Sequence, residues 1–385
     1  MAILTFRKVL LFLLVALVLT VVYSVDGFSQ GPEDFNTEKC SPLKAPTLGA
    51  ECQLGIDSST AMISRMDTGT ICFDESLRRR PGGFEILKLQ GGKIEHHSVA
   101  VEDFPAGVEL NVHGFDLHDG LLMGVNHAYN TGPGDRIEAF KFSRAEMKAK
   151  HVFSIVMPSN FTGTLNDVAI FDEKRIFFTT WLKKPDHIEG KAKNSLLNEL
   201  ENTLDFLSPV NSLYAYECRL DKKVQGKKVI TFEEACHYLP ETLSKMPNGL
   251  KTDRRSRLFM ADSTKKRVRI FTVLSDAVVH SEDVYTQGLI DNVTYDPVRE
   301  ELLVAGLARA YDFVFLMAHA KAAKNHIPTK KFPAFVEKID LKSSPLKVTT
   351  LVSGSFIDVA TGAVRLGKNI LVGSIFGPIQ VCSVE

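Results

Sequence analysis

The sequence predicts an all-β chain closed into a propeller of six blades. Three observations carry that expectation. Short runs rich in Val, Ile, Phe and Leu recur from about residue 38 onward, punctuated by turn residues. A polar pair precedes a near-identical apolar strand by about ten residues three times. These are Asn166-Asp167 before IFFTTW from Ile176, Asn248-Gly249 before LFMAD from Leu258, and Asp291-Asn292 before LLVAG from Leu302. The spacing, about 40–55 residues, suits four-stranded blades, and residues 40–385 leave room for about six of them.

The N-terminus precedes this pattern. Arg7 and Lys8 lead into Val9–Val25, 17 residues without a charge. A bilayer span needs about 20 apolar residues and a signal h-region about 7–15. Residues 1–27 therefore read as either a signal peptide or a signal anchor, with residues 28–385 as the body. Basic residues ahead of the segment and Asp26, Glu33 and Asp34 behind it favour a cytoplasmic N-terminus. The body is then luminal or extracellular, secreted or held to the membrane by its single span.

The strand signals follow in order: FEILKL from Phe84, LLMGVNH from Leu121, IEAFKF from Ile137 and SLYAYE from Ser212. Later ones are VRIFTV from Val268, FVEKIDL from Phe335 and ILVGS from Ile370. One insertion, about 185–208, breaks the pattern. Apolar residues at 196, 197, 200, 204 and 207 form one helical face. Asn194 or Ser195 can cap it and Ser208-Pro209 ends it, so a helix is expected across one end of the β body.

Basic clusters at KTDRRSR (251–257) and TKKRVR (264–269) read as solvated surface in a turn and a strand lead-in. Lys and Arg number 46 against 46 Asp and Glu, so nothing points to nucleic acid. Six cysteines in a secretory body read as disulfides. Cys40 and Cys382 would staple the two ends of the domain, closing a loop worth about 5 kcal/mol on the loop-entropy argument. Cys52/Cys72 and Cys218/Cys236 are spaced to bridge neighbouring strands. With no C-x-x-C pair, zinc is the weaker reading. Asn160-Phe-Thr is a usable glycosylation site on the surface, whereas Asn292-Val-Thr is expected to be buried.

The polar pairs suggest the chemistry. Carboxamides and carboxylates presented at the same place in successive units converge on one axis. Together with Glu51 they make an oxygen cage suited to calcium, a hard ion that takes six to eight oxygens.

Several stretches carry a resemblance. They are NVHGFDLHDGLLMGVNH (111–127), LNDVAIF (165–171), NGL with LFMADSTKKRVRIF (248–271), LIDNVTYDPVREELLVAG (289–306) and the C-terminal GKNILVGSIFGPIQVCSVE. Over most of residues 38–385 the chain resembles the serum paraoxonases, calcium-dependent lactonases and arylesterases folded as six-bladed propellers. The resemblance implies a catalytic calcium held by Glu51, Asn166, Asn248, Asp291 and Asn292. It casts His113 as general base and His127 as its orienting or proton-relaying partner. It also places the helical insertion at the family's active-site canopy.

The chain departs from the family at the second, structural calcium. An acidic ligand is replaced by Cys52, which leaves Asp167 and the Phe115 carbonyl, and a Cys52–Cys72 bridge is expected in that ion's place. The reading is a hydrolase of small lactones and aryl esters. The alternative is a non-catalytic, membrane-anchored relative that acts as a chaperone or partner for other membrane proteins.

Overall fold

Six antiparallel sheets succeed one another along the chain. The computed structural model describes residues 31–44, 49–66, 82–128, 134–185, 195–208, 210–323 and 328–384. Blade 1 comprises Gln53–Asp57, Thr60–Arg65, Gly83–Gln90 and Lys93–Ser98. Blade 2 is Val112–His118, Leu121–His127, Asp135–Ser143 and Lys148–Val156, with Ala100–Glu102 and Val229–Thr231 added in parallel at its edge. Blade 3 runs Leu165–Ile170, Arg175–Thr180, Ala215–Arg219 and Cys236–Tyr238. Blade 4 is Pro247–Thr252, Arg257–Asp262, Arg267–Val273 and Val278–Tyr285; blade 5 is Leu289–Asp296, Glu301–Leu307, Phe332–Asp340 and Lys347–Ile357.

Blade 6 closes the ring. Ala363–Leu366, Asn369–Val372 and Gln380–Cys382 are joined by Cys40–Pro42 from the other end of the chain. Cys40 stands directly opposite Cys382 and the two are bonded, as expected. Closure hides both sheet edges that an open array would leave unpaired. Cys218 and Cys236 are likewise opposite one another and bonded, across the outer strands of blade 3.

The expected Cys52–Cys72 bridge is corrected. Cys52 is a free, buried thiol whose Sγ faces the Phe115 carbonyl 3.8 Å away, toward the propeller axis. Cys72 lies outside the described residues, as does the apolar segment at residues 9–25. Among the described residues no helix is long and apolar enough to cross a membrane.

The core is distributed between blades. Side chains of successive sheets interleave in separate apolar clusters, such as Met123, Val125 and Ile137 of blade 2 against Val168, Ile170 and Phe178 of blade 3. The rigid walls that result hold the innermost strand of each blade along the central channel.

The innermost strands of blades 2 to 5 share one irregularity. In blade 2 the pairing jumps from Val112↔Asn126 to Phe115↔Gly124, so one extra residue is taken up. The same jump occurs between Leu165 and Val168, between Pro247 and Leu250, and between Ile290 and Val293. Each is a β-bulge that re-aims side chains. The residues it releases are His113-Gly114, Asn166-Asp167, Asn248-Gly249 and Asp291-Asn292. Glycine is required at two of these places: a Cβ on Gly114 would lie 2.4 Å from Asp167 Oδ1, and one on Gly249 2.5 Å from Asn292 Cα.

Among the described residues two helices longer than a single turn lie outside the blades. Helix α1, Leu196–Leu207, falls within the expected insertion, but Leu196, Leu197, Leu200 and Leu204 of its apolar face are exposed; residues 186–194 ahead of it are outside the described set. Helix α2, Ala310–Ala322, follows the second strand of blade 5 and was not expected. Its sequence AYDFVFLMAHAKA is apolar on more than one face and shows no clean helical period. Leu316 and Ala320 bury against Phe332, Val359 and Phe376. Asn160 is exposed and Asn292 buried, as expected of the two N-x-Thr sequences.

Candidate active site

The bulges of blades 2 to 5 and the residues ahead of blade 1 meet at one end of the channel. There they line a cavity of about 150 Å³ that includes Glu51, His113, His127, Asn166, Asn248 and Asp291. Its upper wall is apolar, with Trp181, Phe206 of α1, and Phe313 and Met317 of α2. Of the residues predicted for the site, these six face the cavity and Asn292 lies just beneath it, buried.

The oxygens on this floor are under-used. Glu51 Oε2, Asn166 Oδ1, Asn248 Oδ1 and Asn292 Oδ1 are buried and have no hydrogen-bond partner. A native fold rarely leaves such groups bare, because each costs about 1–3 kcal/mol. The Asn292 amide nitrogen is not idle: Nδ2 donates to Glu51 Oε1 at 2.5 Å, which turns Asn292 Oδ1 the other way.

Asp291 shares the floor. Loss of water and the nearby Glu51 charge hold its carboxyl well above the usual range. Two carboxylates and three carboxamides are a donor set that fits calcium and would satisfy the bare oxygens.

Beside the oxygens stands a relay of side chains. His113 Nδ1 lies 2.9 Å from His127 Nε2, and His127 Nδ1 lies 3.0 Å from Asp135 Oδ1. The other Asp135 oxygen accepts from the Gly163 and Leu165 backbone N–H groups at 3.0 and 3.3 Å, which fixes the carboxylate. The network sets the tautomers. His127 donates from Nδ1 to the carboxylate, accepts at Nε2 from His113 Nδ1–H, and leaves His113 Nε2 facing the cavity.

His113 Nε2 is 3.4 Å from Glu51 Oε1. Burial pulls the His113 pKa down, but the Glu51 and Asp291 carboxylates, with Asp167 behind them, outweigh it and raise it to about 9.

Asp135 escaped the sequence reading. It pairs directly with His127 across neighbouring strands, a relation set by register that only the Gly-Asp at the strand start hints at. Lys251 is a correction. Expected on the surface as the first residue of a basic cluster, it is buried, because the inward pleat of its strand turns it into the channel. Its Nζ donates to Asp167 Oδ2 at 2.7 Å and to the Phe115 carbonyl at 3.2 Å. The two residues expected to remain from a second calcium site are thus brought together, but around an ammonium group.

No family model matches the chain, and no curated protein matches it. Solved propellers resemble it weakly. The WD40 β-propeller domain of Doa1 is 8% identical, with 91% of this chain and 97% of that one covered and a TM-score of 0.46. The periplasmic gluconolactonase PpgL of Pseudomonas aeruginosa is 11% identical, with coverages of 86% and 84% and a TM-score of 0.44. A luciferin-regenerating enzyme is 11% identical, with coverages of 90% and 95% and a TM-score of 0.43. The six-bladed assignment rests on the sheet order of this chain, and its chemistry on the site.

Proposed function

We propose that the protein is a calcium-dependent hydrolase of lactones and aryl esters, of the kind the paraoxonases represent. The observation that carries this reading is the set of four buried oxygens, from Glu51, Asn166, Asn248 and Asn292, bare at the floor of a cavity beside a histidine pair. With Asp291 they would hold the ion. Bound there, calcium supplies a Lewis acid for the ester carbonyl and the oxyanion that grows from it.

The chain's own groups supply the rest. His113 Nε2 faces the cavity, takes a proton from the water that attacks the carbonyl carbon, and returns it to the alkoxide or aryloxide that leaves as the ester C–O bond breaks. The positive charge that results is shared through His113 Nδ1–H with His127, whose Nδ1–H is held by Asp135. Glu51 and Asp291 raise His113 while they face it uncompensated. Were they engaged by a divalent ion, they would pull on it less, and the imidazole would return toward the range in which it is a neutral base. Trp181, Phe206, Phe313 and Met317 exclude water above the reacting carbonyl and favour an ester with an apolar body.

The test is hydrolysis of γ- and δ-lactones and of an aryl acetate by the purified protein, with calcium and with excess chelator. Turnover that chelation abolishes and calcium restores supports the reading. A folded, calcium-loaded protein that turns over none of these substrates would sink it and favour the non-catalytic partner protein.

A further inference from the structure

Beneath the oxygen set, the channel holds a charged group that the proposed chemistry does not use. Lys251 lies in the innermost strand of blade 4, and its side chain is 3% exposed. Its three N–H donors all have partners: Asp167 Oδ2 at 2.7 Å, the Leu250 carbonyl at 2.9 Å and the Phe115 carbonyl at 3.2 Å. Those oxygens come from blades 4, 3 and 2. One carboxylate and two carbonyls make an all-oxygen set of the type hard cations occupy, and here an ammonium fills it.

The surrounding charges fit one positive charge and no more. Asp167 is secured by the Leu250 and Val168 N–H groups, each at 2.8 Å, besides the lysine. Cys52 approaches the same Phe115 carbonyl with its Sγ at 3.8 Å. That thiol offers a soft sulfur and no oxygen, so it adds no ligand suited to a hard divalent ion. A divalent ion in this place would have to expel a tethered ammonium and find another negative charge.

We propose that Lys251 is a chain-borne cation standing where a second metal ion would otherwise join the blades, so that the channel takes one calcium and not two. This rests on the reading that the oxygen set above binds calcium. Lys251 is then a positioning residue. Phe115 is two residues from His113, Asp167 adjoins Asn166, and Leu250 is two residues from Asn248, so one ammonium fixes three of the bulges that present the site.

The test counts calcium bound per full-length chain by equilibrium dialysis of the wild type and of the double variant Cys52→Asp/Lys251→Ala. The wild type is expected to bind one ion. The double variant, which removes the ammonium and adds a carboxylate, is expected to bind two and to need the second for its thermal stability. Two ions on the wild type, or one on a folded double variant, would overturn the proposal. If the double variant does not fold, the wild-type count alone decides it. No ion on the wild type is a different result, and it overturns the calcium reading above.

Discussion

Asn292 Nδ2 donates to Glu51 Oε1 at 2.5 Å, joining residues 241 apart in sequence, one on the innermost strand of blade 5 and the other just ahead of blade 1. The bond consumes the amide nitrogen and one carboxylate oxygen, and it leaves Asn292 Oδ1 and Glu51 Oε2 bare on the channel side. Protein contacts therefore hold both oxygens bare, and they do so by bringing the segment ahead of blade 1 against blade 5.

That geometry makes the ligand variants separable from one another. Asn166→Ala deletes an oxygen with no other partner and breaks no hydrogen bond that the structure shows for that oxygen. Calcium affinity should fall by more than the about 10–100-fold typical of losing a supporting residue, with little change in thermal stability of the chelated protein. Asn292→Ala should weaken calcium as much and also lower the chelated protein's stability, because Glu51 loses its donor. Calcium titrations of lactone turnover, paired with thermal melts under chelator, read both. Equal melting temperatures for the two variants would contradict the role given to the Glu51–Asn292 bond.

The Asp135–His127–His113 relay predicts a loss in rate rather than in binding. Asp135→Asn keeps the shape but removes the charge that supports a protonated His127. Turnover should drop about 10²–10⁴-fold, the usual weight of a positioned acid–base group, with KM little changed. His113→Gln should cost as much, and the double variant no more than either alone. His118, on the far end of the same strand as His113 and partly exposed, is the control and should tolerate alanine. Additive losses in the double variant would show that the two residues do not act as a unit.

Much of this was legible in the sequence, for a physical reason. A bulge that aims two side chains at the axis needs small or polar residues there, so Asn-Asp, Asn-Gly and Asp-Asn stand out just ahead of apolar strands, while His113 was reached only through the family resemblance. What was not legible depends on register and pleat. Asp135 matters because it lies opposite His127, and no spacing rule announces that. Lys251 reads as one more basic residue in KTDRRSR until the pleat shows it pointing inward while Arg255 stays at the surface. Cys52 looked like half of a disulfide because six cysteines invite pairing, yet its position beside the axis gives it a backbone carbonyl as neighbour.

The same basic cluster yields a pH prediction. Asp253 Oδ1 accepts from the backbone N–H groups of Arg255, Ser256 and Arg257 at 2.8–2.9 Å, and Oδ2 accepts from Arg257 Nε at 2.7 Å. Burial works to raise its pKa, but the Arg257 guanidinium and the three N–H groups outweigh it and hold it below the ordinary 3.8. A carboxyl depressed in the native state stabilises fully above its unfolded value, and the contribution is lost as pH falls through the native one. Asp253→Asn should cost about 1 kcal/mol at pH 7, and the gap to wild type should close in strong acid. Denaturant melts at neutral and acid pH measure it; a gap that widens on acidification would refute the assignment.

The two disulfides should differ in weight because they close loops of different length. Cys40–Cys382 spans 342 residues and Cys218–Cys236 only 18. The loop-entropy argument gives about 5 kcal/mol for the first and about 3 kcal/mol for the second. Strand contacts point the same way, since Cys40–Pro42 pairs with blade 6 through only three residues and the bond is what pins it. Replacing both residues of the long pair with serine should therefore lower stability in guanidinium melts more than replacing both of the short pair. Lactone turnover at 25 °C should survive in either variant, because each bond joins outer strands, away from the channel. A larger loss from the short pair would mean that ring closure is carried by packing between blades 1, 5 and 6, with the covalent link secondary.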